Sequence, residues 1–335
     1  MIALPLHLGH HGEAVWDLQH RLSALGLATE HAGDPPGVYG PGTRAGVQAF
    51  QLRFGLDVDG VCGELTWSIL VEAGYQLGDR QLYLRAPMMR GDDVATLQGR
   101  LGALGFDAGR GDGIFGPLTA AAIAEFQRNA GIDRDGICGT DTVAALHRLG
   151  TQRTAALMVN QVRERERLRA ASPDLVGRRV VLGHGGDLSA LTQALHRRLR
   201  DAGALVLTLH HPDGSAQARM ANTFDADMVL GLRVNVEPAN RVAYFRGITF
   251  WSQPGLQLAE QIGSGLTELT GLQAEVLGMR LPLLRETRMP TVLAELGPAS
   301  LVVTANERAA AILAAGLAQW VRDPMLLPAV EGSAG

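Results

Sequence analysis

Lysine is absent from the 335-residue chain: all 30 basic residues are arginine. With 42 glycines and abundant alanine, this is the composition of a GC-rich genome and carries no functional signal. Cysteine is scarce, with only Cys62 and Cys138. Their contexts, DGVCG and DGICG, repeat one pattern, which predicts a small buried residue at one place in two repeats, not a disulfide or a shared metal site. Such usage is compatible with a reducing cytoplasm. No uninterrupted apolar run of about 18 residues occurs, so no helical membrane span is expected. The opening MIALPLHLGHHGEAV lacks a basic n-region and a long apolar h-region, so no secretory signal is read and a cytoplasmic location is expected. A net charge of −4 excludes a general nucleic-acid binder. Hydrophobic residues at 46% against 19% charged exclude a disordered chain and supply more than one core.

What the chain does contain is a tandem repeat. Val15, Leu18, Leu22 and Leu25-Gly26 are answered by Val94, Leu97, Leu101 and Leu104-Gly105. The spacing i, i+3, i+7, i+10 is one face of an amphipathic helix, and Gly26 and Gly105 supply its positive-φ stop. Asp92 and Asp93 stand where carboxylates favour a helix N-terminus. Tyr39-Gly40-Pro41 and Thr43 are answered by Phe115-Gly116-Pro117 and Thr119. Phe50-Gln51, Asp59-Gly60-Val61-Cys62-Gly63 and Thr66 are answered by Phe126-Gln127, Asp135-Gly136-Ile137-Cys138-Gly139 and Thr142. The offset falls from 79 to 76, which places three extra residues of the first copy in the turn around Ala32 to Pro36. Each unit reads as three short helices joined by Gly/Asp turns. Between them, Tyr75 to Met89 carries Leu77, Leu82, Tyr83, Leu84, Met88 and Met89, too apolar for a free tether.

These residues resemble the peptidoglycan-binding domain type 1, whose pattern is G-x-x-V-x-x-L-Q-x-x-L-x-x-L-G, then G-x-x-T, F-Q and D-G-x-x-G. The resemblance implies a small three-helix module that binds cell-wall glycopeptide or serves as a docking surface for a protein. Most matching residues are core leucines and turn glycines, which specify the fold.

The second half alternates short apolar runs with helical periods. Strands are predicted at Arg179–Leu182, Ala204–Leu209, Met228–Val234, Tyr244–Trp251 and Thr291–Leu296. Helices are predicted at Leu188–Ala202, Ala216–Phe224, Pro254–Thr270 and Ala305–Val321. Alternation of this kind predicts an α/β domain with a mostly parallel, helix-covered sheet. Functional residues are then expected at the carboxyl ends of strands, where His184, His210, Arg233 and Glu295 fall.

Val181-Leu182-Gly183-His184-Gly185-Gly186 resembles the opening strand of the zinc N-acetylmuramoyl-L-alanine amidases, the Amidase_3 family, usually D-P-G-H-G-G. Leu284-Arg285 and Pro290-Thr291-Val292-Leu293-Ala294-Glu295-Leu296-Gly297 resemble its L-R…P-a-v-L-v-E-x-G. That family implies a Zn²⁺ held by His, Glu and His with an open position for water, and a glutamate that handles the proton as water attacks the lactyl amide. By the resemblance His184 is the retained metal ligand and Glu295 the catalytic glutamate. The glutamate ligand has no counterpart in the short stretch between Gly186 and Gly203. Arg233 replaces the histidine of the strand written S-I-H-A-N, and an arginine offers no lone pair to a metal. His210, His211 and Asp187 are the possible substitute ligands. The plainer reading of His210-His211-Pro212-Asp213 is a polar turn after a strand.

The architecture is also similar to a narrower, degenerate group, the actinobacterial CwlM-type proteins. That resemblance implies a pseudoenzyme that regulates peptidoglycan precursor synthesis through the cytoplasmic UDP-N-acetylglucosamine enolpyruvyl transferase, with peptidoglycan fragments as further partners. The expected layout is repeat 1 at 1–75, repeat 2 at 76–150, a linker at 151–177, the amidase-like domain at 178–325 and a tail at 326–335. The linker, charge-alternating at Gln161 to Arg167, is expected to be a solvated helix or tether. No cofactor is expected of a pseudo-amidase. The alternative is a working, cell-wall-associated amidase that carries zinc. Without a metal, Arg233 and Glu295 are expected to form an ion pair, direct or bridged by a single water, in the vacated zinc site, with His184 beside them.

Overall fold

A computed structural model describes residues 4–27, 34–149, 168, 172–186, 188–235, 237–298 and 304–322. The charged stretch Gln161–Arg167, Asp187 and the tail lie outside the described residues. The described residues divide into two compact units. One holds both repeats together with Gly247–Phe250, and the other holds the rest of the α/β domain.

Each repeat is three helices: α1 (Glu13–Ala24), α2 (Pro41–Arg53) and α3 (Glu64–Ala73), then α4 (Asp92–Ala103), α5 (Pro117–Ala130) and α6 (Thr140–Leu149). The apolar stripe of α1 buries Val15, Leu18 and Leu22, and that of α4 buries Val94, Leu97 and Leu101. Each repeat closes its own core, around Phe50 and Ile69 in the first and Phe126 and Leu146 in the second. Pro41 and Pro117 open α2 and α5, where a missing N–H costs nothing. Gly26 and Gly105 have φ of 70° and 94° just past α1 and α4, as the stop signal requires. The two cysteines are free and fully buried.

The glutamines of the repeat pattern are internal hubs. Gln127 Nε2 donates to Asp135 Oδ1 at 2.7 Å, to the Ile137 carbonyl at 3.0 Å and to Thr142 Oγ1 at 3.0 Å, while its Oε1 accepts from Gly136 N at 2.9 Å. Gln51 makes the same four bonds with Asp59, Val61, Thr66 and Gly60. The F-Q, D-G and T positions of the pattern therefore satisfy one another in a closed loop. That loop is what makes the pattern visible in sequence, since a buried amide needs every partner.

The segment Tyr75 to Met89 is not a linker in the sense its position suggests. Leu82 is fully buried and forms a two-way backbone bridge with Cys138, with N to O distances of 3.2 and 2.8 Å. Leu6 makes the equivalent bridge with Cys62. The segment is thus the first element of repeat 2, which explains its apolar content. Arg80 fixes it further: the guanidinium reaches the buried Asp93 at 2.7 Å and lies 3.8 Å from the centre of the Tyr75 ring.

The α/β unit has strands β1 (Arg179–His184), β2 (Leu205–His210), β3 (Met228–Val234), β4 (Asn240–Phe245), β5 (Ala274–Met279) and β6 (Thr291–Leu296). Its helices are α7 (Ser189–Asp201), α8 (Gly214–Phe224), α9 (Gln253–Thr270), α10 (Pro282–Glu286) and α11 (Asn306–Arg322). The sheet order is β2-β1-β3-β6-β4-β5, parallel except where β4 meets β6. β4 lies at 240–245, upstream of the Tyr244–Trp251 run that hydropathy selects. Of that run Tyr244 and Phe245 belong to the strand, and Arg246 and Trp251 then form only an isolated bridge. One face carries the main core: Leu182, Leu230, Val242 and Ala294 pack with Leu195 of α7, Ile262 of α9 and Leu313 of α11. The other face meets α8 and α10. Glycines at 183 and 231 admit them: a Cβ on Gly231 would lie 2.7 Å from the Leu283 side chain.

Candidate functional site

The path of the chain creates the crevice. β1 leads through α7 to β2 on one side of the sheet, and β2 leads back through α8 to β3 on the other side of β1. The connections diverge between β1 and β3, and the carboxyl ends of these strands carry His184 and Arg233. In open α/β sheets such a switch point is where ligands sit.

Arg233 and Glu295 are direct register partners on β3 and β6. Arg233 Nη1 donates to Glu295 Oε1 at 2.9 Å, so the ion pair expected from the sequence is present in its direct form. Burial differs from a closed pocket, since the Arg233 side chain is 48% exposed and that of Glu295 14%. Water reaches the guanidinium, and the pair is only half desolvated.

The row continues across the sheet. Because β4 runs antiparallel to β6, its amino end shares this edge, and Arg241 is in register with Glu295 on one side and with Glu275 of β5 on the other. Arg241 Nε approaches Glu275 Oε2 at 3.7 Å. In-register neighbours share a face of a pleated sheet, so Arg233, Glu295, Arg241 and Glu275 form one charged row with alternating sign. All four lie on the face opposite the main core, since Val242 and Ala294, one step away, are in that core.

His184 is placed differently. Its register partners are Leu232 and His210, one step short of Arg233. The pleat therefore puts it on the Leu182 and Leu232 side, not beside the Arg233–Glu295 pair. It is 5% exposed and stacks on His210, with ring centres 5.0 Å apart and planes 2° from parallel. Its Nδ1 accepts a hydrogen bond from Gly186 N at 3.2 Å. His211 turns to its own loop, its Nδ1 accepting from Asp213 N at 3.0 Å, and Asp213 in turn caps α8 by accepting from Ser215 N. His210 ends β2, and His211 to Asp213 form the turn that leads into α8. On the same flank His196 of α7 contacts Thr208 at 3.0 Å, and burial with the nearby Arg200 lowers its pKa from the ordinary histidine value.

The described donors do not fit a tetrahedral zinc. A metal must lie near the plane of each imidazole that binds it, and two stacked, parallel rings do not share such a plane. Arg233 supplies positive charge in place of a lone pair. Among the described residues no group of three or more His, Cys, Asp or Glu side chains converges on one point.

Sequence reasoning missed Arg241 and Glu275. The signal was the antiparallel entry of β4, which cannot be read without the sheet order. β5 itself, AEVLGM, is broken by a glutamate and a glycine and gives no apolar run.

Comparison with known proteins gives the lineage. The putative peptidoglycan binding domain matches residues 11–70 and again 90–146. N-acetylmuramoyl-L-alanine amidase CwlM of Mycobacterium tuberculosis is 35% identical over 332 residues, covering 87% of this chain and 81% of that protein. N-acetylmuramoyl-L-alanine amidase CwlL of Bacillus licheniformis is 34% identical over 164 residues, 43% of this chain and 45% of that one. The crystal structure of an N-acetylmuramoyl-L-alanine amidase from Clostridium difficile 630 superposes with a TM-score of 0.37 at 15% identity, covering 44% of this chain and 98% of the other.

Two copies of the putative peptidoglycan binding domain ahead of an α/β domain, in a chain 35% identical to an amidase relative, mark a modular protein of the peptidoglycan amidase class. The chain belongs to the N-acetylmuramoyl-L-alanine amidase family, with CwlM among its relatives.

Proposed function

We propose that this protein is a pseudo-amidase: it keeps the amidase fold as a binding scaffold and regulates peptidoglycan precursor synthesis through protein contacts. The observation that carries this reading is Arg233, which stands where the family places a histidine ligand and spends a donor on Glu295 at 2.9 Å. The guanidinium occupies one oxygen of the Glu295 carboxylate, which leaves less of that carboxylate open to an attacking water. The partner proposed from the CwlM-type resemblance is the UDP-N-acetylglucosamine enolpyruvyl transferase of the cytoplasm. No helix among the described residues is long and apolar enough to cross a membrane. The two repeats add docking surface, and peptidoglycan fragments are their proposed small ligands.

The retention of His184 and Glu295 favours a second reading, a zinc amidase that hydrolyses the muramoyl–L-alanine bond, with His210, His211 or Asp187 completing the ligand set. Purified protein distinguishes the two. The pseudo-amidase reading expects no bound zinc, no release of L-alanine-headed peptides from cell walls, and co-purification of the transferase with tagged full-length protein. Stoichiometric zinc together with amide hydrolysis would overturn it.

A further inference from the structure

We propose that the turn Gly247–Phe250 is an intramolecular latch: it fills a peptide-binding face of repeat 2 and keeps that face from other ligands. The inference goes beyond the pseudo-amidase reading and holds for either state of the metal pocket. It concerns the first compact unit, in which this turn lies with the repeats. The turn is closed on itself, since Gly247 N donates to the Phe250 carbonyl at 2.8 Å. Ile248 is 52% exposed, whereas Phe250 is 1% exposed.

The surface that buries Phe250 belongs to repeat 2. Thr249 Oγ1 donates to the Ala95 carbonyl of α4 at 3.1 Å. The Arg110 guanidinium lies 5.3 Å from the centre of the Phe250 ring, within cation–π range. Phe250 also lies against Gly111, where an added Cβ would come within 2.8 Å of the Phe250 Cβ. The repeat 2 core, around Phe126 and Leu146, is built from the repeat's own residues, so Phe250 is added to its outside.

The two repeats differ where the turn is seated. Gln19 and Gln98 hold Gly37 and Gly113 through the same hydrogen bond, at 2.8 and 2.9 Å, which fixes the correspondence of the copies. Counted from these glycines, Pro35 stands in the place of Gly111. Counted from Val15 and Val94, Trp16 stands in the place of Ala95. Trp16 is 52% exposed and Ala95 2%. Repeat 2 is thus small at both positions that Thr249 and Phe250 touch, and its face suits a turn with an aromatic tip preceded by a hydroxyl. Because the turn is tethered, its effective concentration at this face is about millimolar. A partner that docks here must displace it, and the apparent affinity falls in proportion to the fraction of molecules with the face open.

The test uses full-length protein and a fluorescein-labelled peptide of residues 245–252, closed by a disulfide between two added terminal cysteines so that the turn is held. Fluorescence polarisation should show weak binding to the wild type. Binding to Thr249→Ala/Phe250→Ala, in which the face is vacated, should be tighter by about tenfold or more. Adding Gly111→Ala or Ala95→Trp to that variant should abolish the gain, since each refills the face. Circular dichroism checks that the variants fold, and repeat 1 already carries tryptophan at the second position. The proposal is overturned if the wild type and the double variant bind the peptide equally, if neither binds it, or if Gly111→Ala and Ala95→Trp leave the gain intact. Metal content enters none of these outcomes, so failure here sinks the latch and leaves the pseudo-amidase reading standing.

Discussion

Removing the Arg233 guanidinium is the most informative perturbation of the α/β unit. Arg233→Ala leaves Glu295 mostly buried with one neighbour, Arg241, still in register. Breaking a fully buried pair from one side costs about 3–5 kcal/mol, whereas an exposed pair contributes about 0.2–1 kcal/mol. Here one partner is half exposed and the other nearly buried, so the cost falls between these limits, about 1–2 kcal/mol. Coulomb's law agrees in scale: unit charges roughly 4 Å apart interact by about 1 kcal/mol in water and about 4 kcal/mol near a protein surface. Side-chain ordering and solvent screening reduce the second figure. The assay is urea unfolding of the wild type, Arg233→Ala, Glu295→Gln and the double variant. The expected coupling energy is about 1 kcal/mol, falling as salt rises. A coupling that vanishes even at low salt would refute the pairing. One above about 3 kcal/mol would mean the site is dry and closed, contradicting the exposure of Arg233.

Three further outcomes test the repeats. Gln127→Ala should destabilise repeat 2 by about 2–3 kcal/mol, read as a lower urea midpoint, because it strands buried partners in the Asp135-Gly136 turn and at Thr142. Burial pushes the thiols of Cys62 and Cys138 up to about 12, so neither should react with a thiol reagent at pH 8 until the protein unfolds; rapid labelling of the folded protein would contradict their burial. Hydrogen bonds from Ile137 N and Gln127 hold the Asp135 carboxyl below its ordinary value of 3.8. The stability this contributes is fully present above that value and is lost as pH falls through the lower folded value, so the urea midpoint should drop in acid, and less steeply in Asp135→Asn.

The helical repeats were fully legible because their pattern is a closed hydrogen-bond loop plus a 3.6-residue stripe, both local in sequence. Strands Met228–Val234 and Thr291–Leu296 were legible because they lie centrally and are apolar on both faces. β4 was misplaced, since it begins with Asn240-Arg241, polar residues that belong to the charged edge. The pairing of Arg233 with Glu295 was legible because a carboxylate and a guanidinium at adjacent strand ends satisfy each other. The side of the sheet on which His184 lies did not, because a one-residue step in register reverses it. For the same reason Arg241 stayed hidden: register across an antiparallel junction is a property of the assembled sheet.

Metal analysis of the full-length protein, purified without chelator and dialysed against zinc, tests the central claim most directly. The account expects zinc at background level, unchanged in His184→Ala, since the imidazoles of His184 and His210 stack in place of converging and Arg233 holds the third position. One equivalent of zinc per chain, lost in His184→Ala, would contradict it and return this chain to the working amidases.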